Sequence, residues 1–390
     1  TIRASARRMR TTTVTTRIPI VALILNPCSS ATRGRSGRMM GSAENLEGVR
    51  GVFSQGTRAV DARPVVGRFA PSPTGRMHLG NVAASLLAWL SVRSQGGKLV
   101  LRIEDLDDRA RSGPWAELLM DDLRWLGLDW DEGPYYQTER LDLYEDALQR
   151  LDSLALVYPC FCTRAELHAA SAPHASDGTP VYAGTCRNLT PGQVAERSAV
   201  RPPAMRLRVP TADGSDVHAV ASRLPVASAS RTVRFTDRTY GAHVEDLVRE
   251  CGDFLVRRSD GVFAYQLAVV VDDAAMGVTE VVRGCDLLGS TARQLYLQDM
   301  LGYGHPEYAH VPLLVAPDGR RLSKRDRDLD MRELRRRFGT PEELLGRLAH
   351  ALGLKPDAAP CSAAHLVEGF SWDQVRAHRD SFVVAPGFLG

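Results

Sequence analysis

Apolar and polar residues follow two rhythms along this chain, and the switches between them outline an α/β protein. In "PVVGRFA", Val65, Val66 and Phe69 predict a short strand, and the loop "PSPTG" ends it. From Leu79 to Ser94, Val82, Leu86, Trp89 and Leu90 share one stripe, the spacing of an amphipathic helix. Gly96 and Gly97 stop that helix. "KLVLRIED" is a nearly continuous apolar run, as in a buried parallel strand, and it delivers Glu104 and Asp105 at its carboxyl end. That is the edge where open α/β sheets bind ligands.

Two amphipathic helices follow, around "PWAELLMDDLRWLGL" and "ERLDLYEDALQRLDSLAL". Residues 159–235 break the rhythm, with prolines, cysteines and no long apolar strand until "MRLRVP", which predicts an insertion. The α/β pattern resumes with a hairpin over "DFLVRRSDGVFAYQL", whose Ser-Asp-Gly is a turn signal. A helix to Asp273, a strand "TEVVRG", a helix "STARQLYLQDMLGY" and a last strand "HVPLLVAP" come next. "DGRRLSKRDRDLDMRELRRRFG" then reads as a basic loop running into a helix, and two helical stretches close the chain. The expected organisation is a parallel α/β sheet in two halves, 63–158 and 236–325, with the insertion between them and a helical stem over 326–390. There is no internal repeat and no heptad pattern.

Composition adds few constraints. A chain of 390 residues at 44% hydrophobic can bury a large core, and a net charge of +3 neither demands nor excludes nucleic acid. Seven scattered cysteines make no disulfide framework and point to a reducing, cytoplasmic setting. The first 62 residues stand apart: no acidic residue precedes Glu44, while arginines accumulate among serines and threonines. That is the composition of a transit peptide or of an over-extended gene start, and disorder is expected there. "IPIVALIL" is too short to span a bilayer, and no run of 18 apolar residues occurs, so no membrane association is expected.

Candidate chemistry lies in three places. His78 stands at the mouth of a helix behind a tight Pro/Gly loop, where free N–H groups and the helix dipole favour phosphate. Lys324 lies in a basic loop after the last sheet strand. Cys160 and Cys162 form a C-x-C, and Cys186 follows in "YAGTC"; three thiolates suit zinc, with His168 or His174 as a fourth ligand on spacing alone. Cys28, Cys251, Cys285 and Cys361 are isolated thiols. The stretch Arg332 to Arg337 is either an RNA-facing surface or a solvated helix face.

His78-Leu79-Gly80-Asn81 resembles the His-Ile-Gly-His signature of class I aminoacyl-tRNA synthetases, with Asn81 replacing the second histidine. Arg321-Leu322-Ser323-Lys324-Arg325 stands where that class carries Lys-Met-Ser-Lys-Ser. The string "RFAPSPTG" and the stretch "FAYQLAVVVDDAAMGVTEVVRGCDLL" narrow the resemblance to the glutamate-specific branch. It covers roughly residues 64 to 375.

That resemblance implies a Rossmann-type catalytic domain that binds ATP through His78, Gly80, Asn81 and Lys324, with Mg²⁺. His78 and Lys324 would stabilise the reacting phosphates, and Gly80 would leave room for adenine. Arg68, Ser72, Glu104, Tyr265 and Arg283 would hold L-glutamate, Arg68 on a carboxylate and Glu104 on the ammonium.

Two further features resemble glutamyl-Q tRNA(Asp) synthetases, the short paralogues of glutamyl-tRNA synthetase. One is Tyr265-Gln266-Leu267-Ala268-Val269. The other is the C-x-C followed by Y-x-x-x-C, which by resemblance makes Cys160, Cys162, Tyr182 and Cys186 a Zn²⁺ site. Only 65 residues follow Arg325, so a short stem without an anticodon-binding domain is expected. The resemblance then implies tRNA-independent activation of glutamate by ATP and its transfer to the queuosine of tRNA(Asp), by a monomer. The rival expectations are a truncated glutamyl-tRNA synthetase charging the 3′ end of tRNA(Glu), a non-catalytic RNA-binding paralogue, and an adenylyl transferase sharing the histidine loop.

Overall fold

The computed structural model describes residues 64–169, 181–210, 232–315, 330–380, 382–384 and 388. The expected disorder of the first 62 residues and the basic loop around Lys324 lie outside them.

Strand β1 (Val66–Phe69) pairs in parallel with β2 (Lys98–Ile103), and β2 in parallel with β3 (Glu132–Tyr136). The helix expected between the first two strands is α1 (Leu79–Arg93). Its stripe of Val82, Leu86, Trp89 and Leu90 is buried, and each fully buried leucine contributes about 1.5–3 kcal/mol. Strand β3 departs from expectation because "EGPYY" is mostly exposed and carries no apolar alternation. The two amphipathic helices are α2 (Trp115–Trp125) and α3 (Leu141–Ser153).

A three-stranded antiparallel sheet follows, β4 (Val157–Cys160), β5 (Ala204–Leu207) and β8 (Phe254–Arg257), with helix α4 (Pro191–Ser198) between its first two strands. The expected hairpin at 253–267 is shorter than anticipated. Its return arm is one bridge, Arg257 to Phe263, and Tyr265 already opens helix α5 (Tyr265–Ala275). Burial decides this: Leu267 to Asp273 are all buried against neighbouring elements, which a two-faced hairpin arm could not achieve.

The second parallel unit contains β9 (Glu280–Gly284), helix α6 (Thr291–Leu301) and β10 (Glu307–Val311). Strand β10 also pairs in parallel with β6 (Thr232–Asp237), which straddles the expected boundary at residue 235, and β6 pairs antiparallel with β7 (Gly241–Asp246). Pro312, which lacks an N–H, ends β10; Leu314–Val315 (β11) then pairs in parallel with Phe382–Val383 (β12). Helices α7 (Met331–Phe338) and α8 (Pro341–Ala351) pack their buried leucines into the core around α1.

The two parallel units meet along β1 and β9. Thr279 N–H donates to Val66 O at 2.8 Å, and Val66 N–H donates to Thr279 Oγ1 at 2.9 Å. The strands therefore lie in the order β3-β2-β1-β9-β10-β6-β7, and succession along the chain reverses between β1 and β9. Such a switch point opens a crevice at the strands' carboxyl ends.

Candidate active site and metal centre

A cavity of about 470 Å³ occupies that crevice. Arg68 reaches it from the end of β1, Ser72 and His78 from the loop, Gly80 and Asn81 from the first turn of α1. Glu104 enters after β2, Tyr265 from the start of α5, and Arg283 from β9. Every described residue expected to touch nucleotide or amino acid thus lines one cavity. Lys324 lies outside the described residues.

The loop explains the departure at Asn81. His78 caps α1 with extended backbone, and its N–H donates to Asn81 Oδ1 at 3.1 Å. Asparagine at the third helical position thereby accepts from the backbone N–H of the capping residue, one half of a capping box. Gly80 leaves space beside the histidine, because a Cβ there would come within 3.2 Å of the His78 ring.

The amino-acid end of the cavity is built on buried charge. Arg102, fully buried in β2, donates to Asp273 Oδ1 at 2.6 Å and to Glu104 Oε1 at 3.2 Å, and lies 3.6 Å from Asp272. Asp272 is also held by Gln137, Arg140 and Tyr144 at 2.7–2.9 Å. Arg68 Nη1 donates to Val282 O at 2.9 Å while its Nε lies 3.6 Å from Asp273. Burial pushes the Glu104 carboxyl above its ordinary value, and Arg102 and Arg68 oppose that push. Ser72 Oγ is 3.5 Å from Glu104 Oε2. Arg283 differs from Arg68 and Arg102: its hydrogen bonds go to His310, Gln294 and Thr291, none of them an acid.

Sequence reasoning passed over Arg102, Asp272 and Asp273. Their signal was a charge inside an apolar run, "KLVLRI" and "LAVVVDDAA", since buried charges persist only when paired. It also passed over Arg76, which donates to Asp122 at 2.9 Å, while Arg335 of α7 reaches the same carboxylate at 2.8 Å. In the basic stretch of α7, Arg335 pairs with Asp121 and Asp122, while Arg336 and Arg337 share the one carboxylate of Glu333.

The cysteines converge as well. Cys160, Cys162 and Cys186 place their sulfurs within 4.8 Å of one another. Tyr182 Oη lies 3.5 Å from Cys160 Sγ and 3.6 Å from Cys162 Sγ, and the sulfurs of Cys162 and Cys186 are 3.6 Å apart. A tetrahedron with zinc–sulfur bonds of about 2.3 Å has edges of roughly 3.8 Å, so these three thiols and the phenol fit a closed zinc site. Arg206 backs it, with Nε 3.2 Å from Cys160 Sγ and its guanidinium 3.9 Å over the Tyr182 ring. His174 lies outside the described residues, and only the backbone of His168 is described.

Comparisons with known proteins identify the family. The family model for class I tRNA synthetases (E and Q), catalytic domain, matches residues 64–375. Glutamyl-Q tRNA(Asp) synthetase of Nitratidesulfovibrio vulgaris is 49% identical over 305 residues, 75% of this chain and 88% of that protein. The protein of the same name from Symbiobacterium thermophilum is 46% identical over 319 residues, 78% of this chain and 91% of its own length. Among solved structures, glutamate-tRNA synthetase from Elizabethkingia anophelis superposes with a TM-score of 0.68 at 25% identity, over 84% of this chain and 69% of that one. With the switch-point crevice and its arginines in place, the chain belongs to the class I (E and Q) tRNA synthetase family and groups there with the glutamyl-Q tRNA(Asp) synthetases.

Proposed function

We propose that this protein activates L-glutamate with ATP and transfers the glutamyl group to the queuosine of tRNA(Asp), activation proceeding without tRNA. The observation that carries the reading is the convergence of Arg68, Arg283 and Glu104 on one cavity with the His78 loop. Two guanidiniums and a carboxylate complement an amino acid with two carboxylates and one ammonium. Eight relatives that bear the name glutamyl-Q tRNA(Asp) synthetase share 40–49% identity with the chain.

In the first step the α-carboxylate oxygen of glutamate attacks the α-phosphorus of ATP. A phosphorus–oxygen bond forms, the bond to the β-phosphate breaks, and pyrophosphate leaves with the electron pair. No protein nucleophile is needed, so the protein positions the reactants and stabilises developing charge. Ser72 and Tyr265 complete the amino-acid pocket, while His78, Gly80 and Asn81 hold the nucleotide with Lys324, and Mg²⁺ neutralises phosphate charge. In the second step a hydroxyl of the queuosine cyclopentenediol attacks the glutamyl carbonyl, gives up its proton and expels AMP.

Cys160, Cys162, Tyr182 and Cys186 would hold Zn²⁺ as a structural ion that ties the insertion together. The reading further takes residues 326–390 as a helical stem, and the protein as a cytoplasmic monomer. No described helix is long and apolar enough to cross a membrane.

Glutamate-dependent exchange of labelled pyrophosphate into ATP tests the activation step. Exchange in the absence of tRNA is expected, with Lys324→Ala reducing it sharply at little cost to glutamate affinity. Absence of exchange without tRNA would overturn tRNA-independent activation, and full exchange by the variant would remove Lys324 from the mechanism.

A further inference from the structure

Arg283 is held by a buried chain of groups that the two-step chemistry does not use. Its Nε donates to His310 Nε2 at 3.0 Å, Nη1 to Gln294 Oε1 at 2.6 Å, and Nη2 to Thr291 Oγ1 at 2.9 Å. A guanidinium carries five N–H groups. These three bonds therefore leave one N–H on each terminal nitrogen, the pair that matches the two oxygens of a carboxylate.

His310 lies opposite Arg283 in the β9–β10 register and is fully buried. Because its Nε2 accepts from Arg283, that nitrogen bears no hydrogen, and Nδ1–H donates to Asp237 Oδ2 at 2.6 Å. Asp237 is fixed in turn: Oδ1 accepts the backbone N–H groups of Thr239 and Tyr240, both at 2.9 Å. The chain Asp237–His310–Arg283 thus crosses from the end of β6 through β10 to β9. A carboxylate placed directly on Arg283 would neutralise the guanidinium and compete with an incoming carboxylate. A neutral imidazole orients it and leaves its charge for the ligand, while the acid behind the imidazole fixes the tautomer.

We propose that Asp237 and His310 are positioning residues that set the orientation of Arg283 and so govern affinity for the dicarboxylic amino acid. This rests on the reading of Arg283 as a partner of a glutamate carboxylate.

The test measures KM for glutamate and KM for ATP separately, by pyrophosphate exchange, in Asp237→Asn, His310→Leu, His310→Gln and Arg283→Gln, with a thermal melt of each. Asp237→Asn offers N–H to Nδ1, moves the imidazole hydrogen to Nε2 and sets it against the Arg283 N–H. Asp237→Asn and His310→Leu should each raise the glutamate KM on the order of 10-fold with the ATP KM within about twofold. His310→Gln, whose amide oxygen accepts from Nε without a tautomer, should recover most of that loss. Should Asp237→Asn fail to fold, the two His310 variants carry the comparison. An unchanged glutamate KM in Asp237→Asn and His310→Leu, beside a raised one in Arg283→Gln, overturns the proposal. So does an equal rise in both KM values, or a glutamine variant no better than leucine. If Arg283→Gln leaves the glutamate KM unmoved, the reading of Arg283 fails and the proposal falls with it.

Discussion

Arg68 and Val282 are 214 residues apart, and the Arg68 guanidinium donates to the Val282 carbonyl at 2.9 Å. The contact spans the seam between β1 and β9, and Val282 immediately precedes Arg283. One cavity arginine therefore braces the strand that carries the other. Lysine at position 68 would keep the charge and lose both the brace and the planar fork. Arg68→Lys is expected to raise the glutamate KM on the order of 10-fold, with the ATP KM little changed. Pyrophosphate exchange reads both constants, and an unchanged glutamate KM contradicts the assignment.

Beneath the cavity, Arg102 is the shared partner of Glu104, Asp272 and Asp273. Arg102→Met would leave buried acids facing one another with less compensation, a change that costs about 3–5 kcal/mol. The midpoint of urea denaturation should fall accordingly. A midpoint equal to that of the unchanged protein would mean that Arg68 and Arg140 suffice to hold the acids.

His310 gives stability a pH dependence of definite sign. Burial holds its pKa down to about 4, the nearby Arg283 and His243 act in the same direction, and the hydrogen bond to Asp237 opposes them. In the unfolded chain the imidazole returns to about 6.5, so between these values the unfolded state binds more protons. The stabilising contribution is whole above about pH 6.5 and is lost as pH falls toward 4, about 3 kcal/mol in all. The hydrogen bond from His310 and those from backbone N–H hold Asp237 below the ordinary carboxylate range despite its burial, which adds a further loss at still lower pH. Denaturant titrations from pH 7 to 4 should show a shallower decline in His310→Gln than in the unchanged protein. Parallel declines contradict this.

The metal centre predicts one zinc per chain. Cys186→Ser should lose most of that zinc on dialysis against a chelator, whereas Cys251→Ser, a buried thiol packed with Leu247 and Phe254 outside the cluster, should retain it. Metal analysis of the purified proteins decides the matter, and zinc-free protein after expression with ample zinc contradicts the site.

The sequence was legible where a burial pattern or a motif occupied consecutive residues. The α1 stripe, the run "KLVLRI" and the Pro/Gly loop before His78 all announce themselves within a few positions. Strands β3, β6 and β7 do not, because "EGPYY", "TVRFTD" and "GAHVED" mix charges with small residues and leave much of their surface exposed. Tyr265 looked like a hairpin arm because β-branched and aromatic residues dominate there, and tertiary burial made it a helix start. The supports of the site were the least visible. Asp237, His310 and Asp273 acquire their roles only when strands distant in sequence become neighbours, and no local spacing encodes that.

The central claim concerns where the glutamate lands. Labelled glutamate, ATP and Mg²⁺ should be incubated with the full chain and tRNA(Asp) with queuosine, tRNA(Asp) without it, or tRNA(Glu). Label on the queuosine-containing tRNA(Asp) alone is the result predicted here. Label on tRNA(Glu), or on tRNA(Asp) regardless of queuosine, would contradict it.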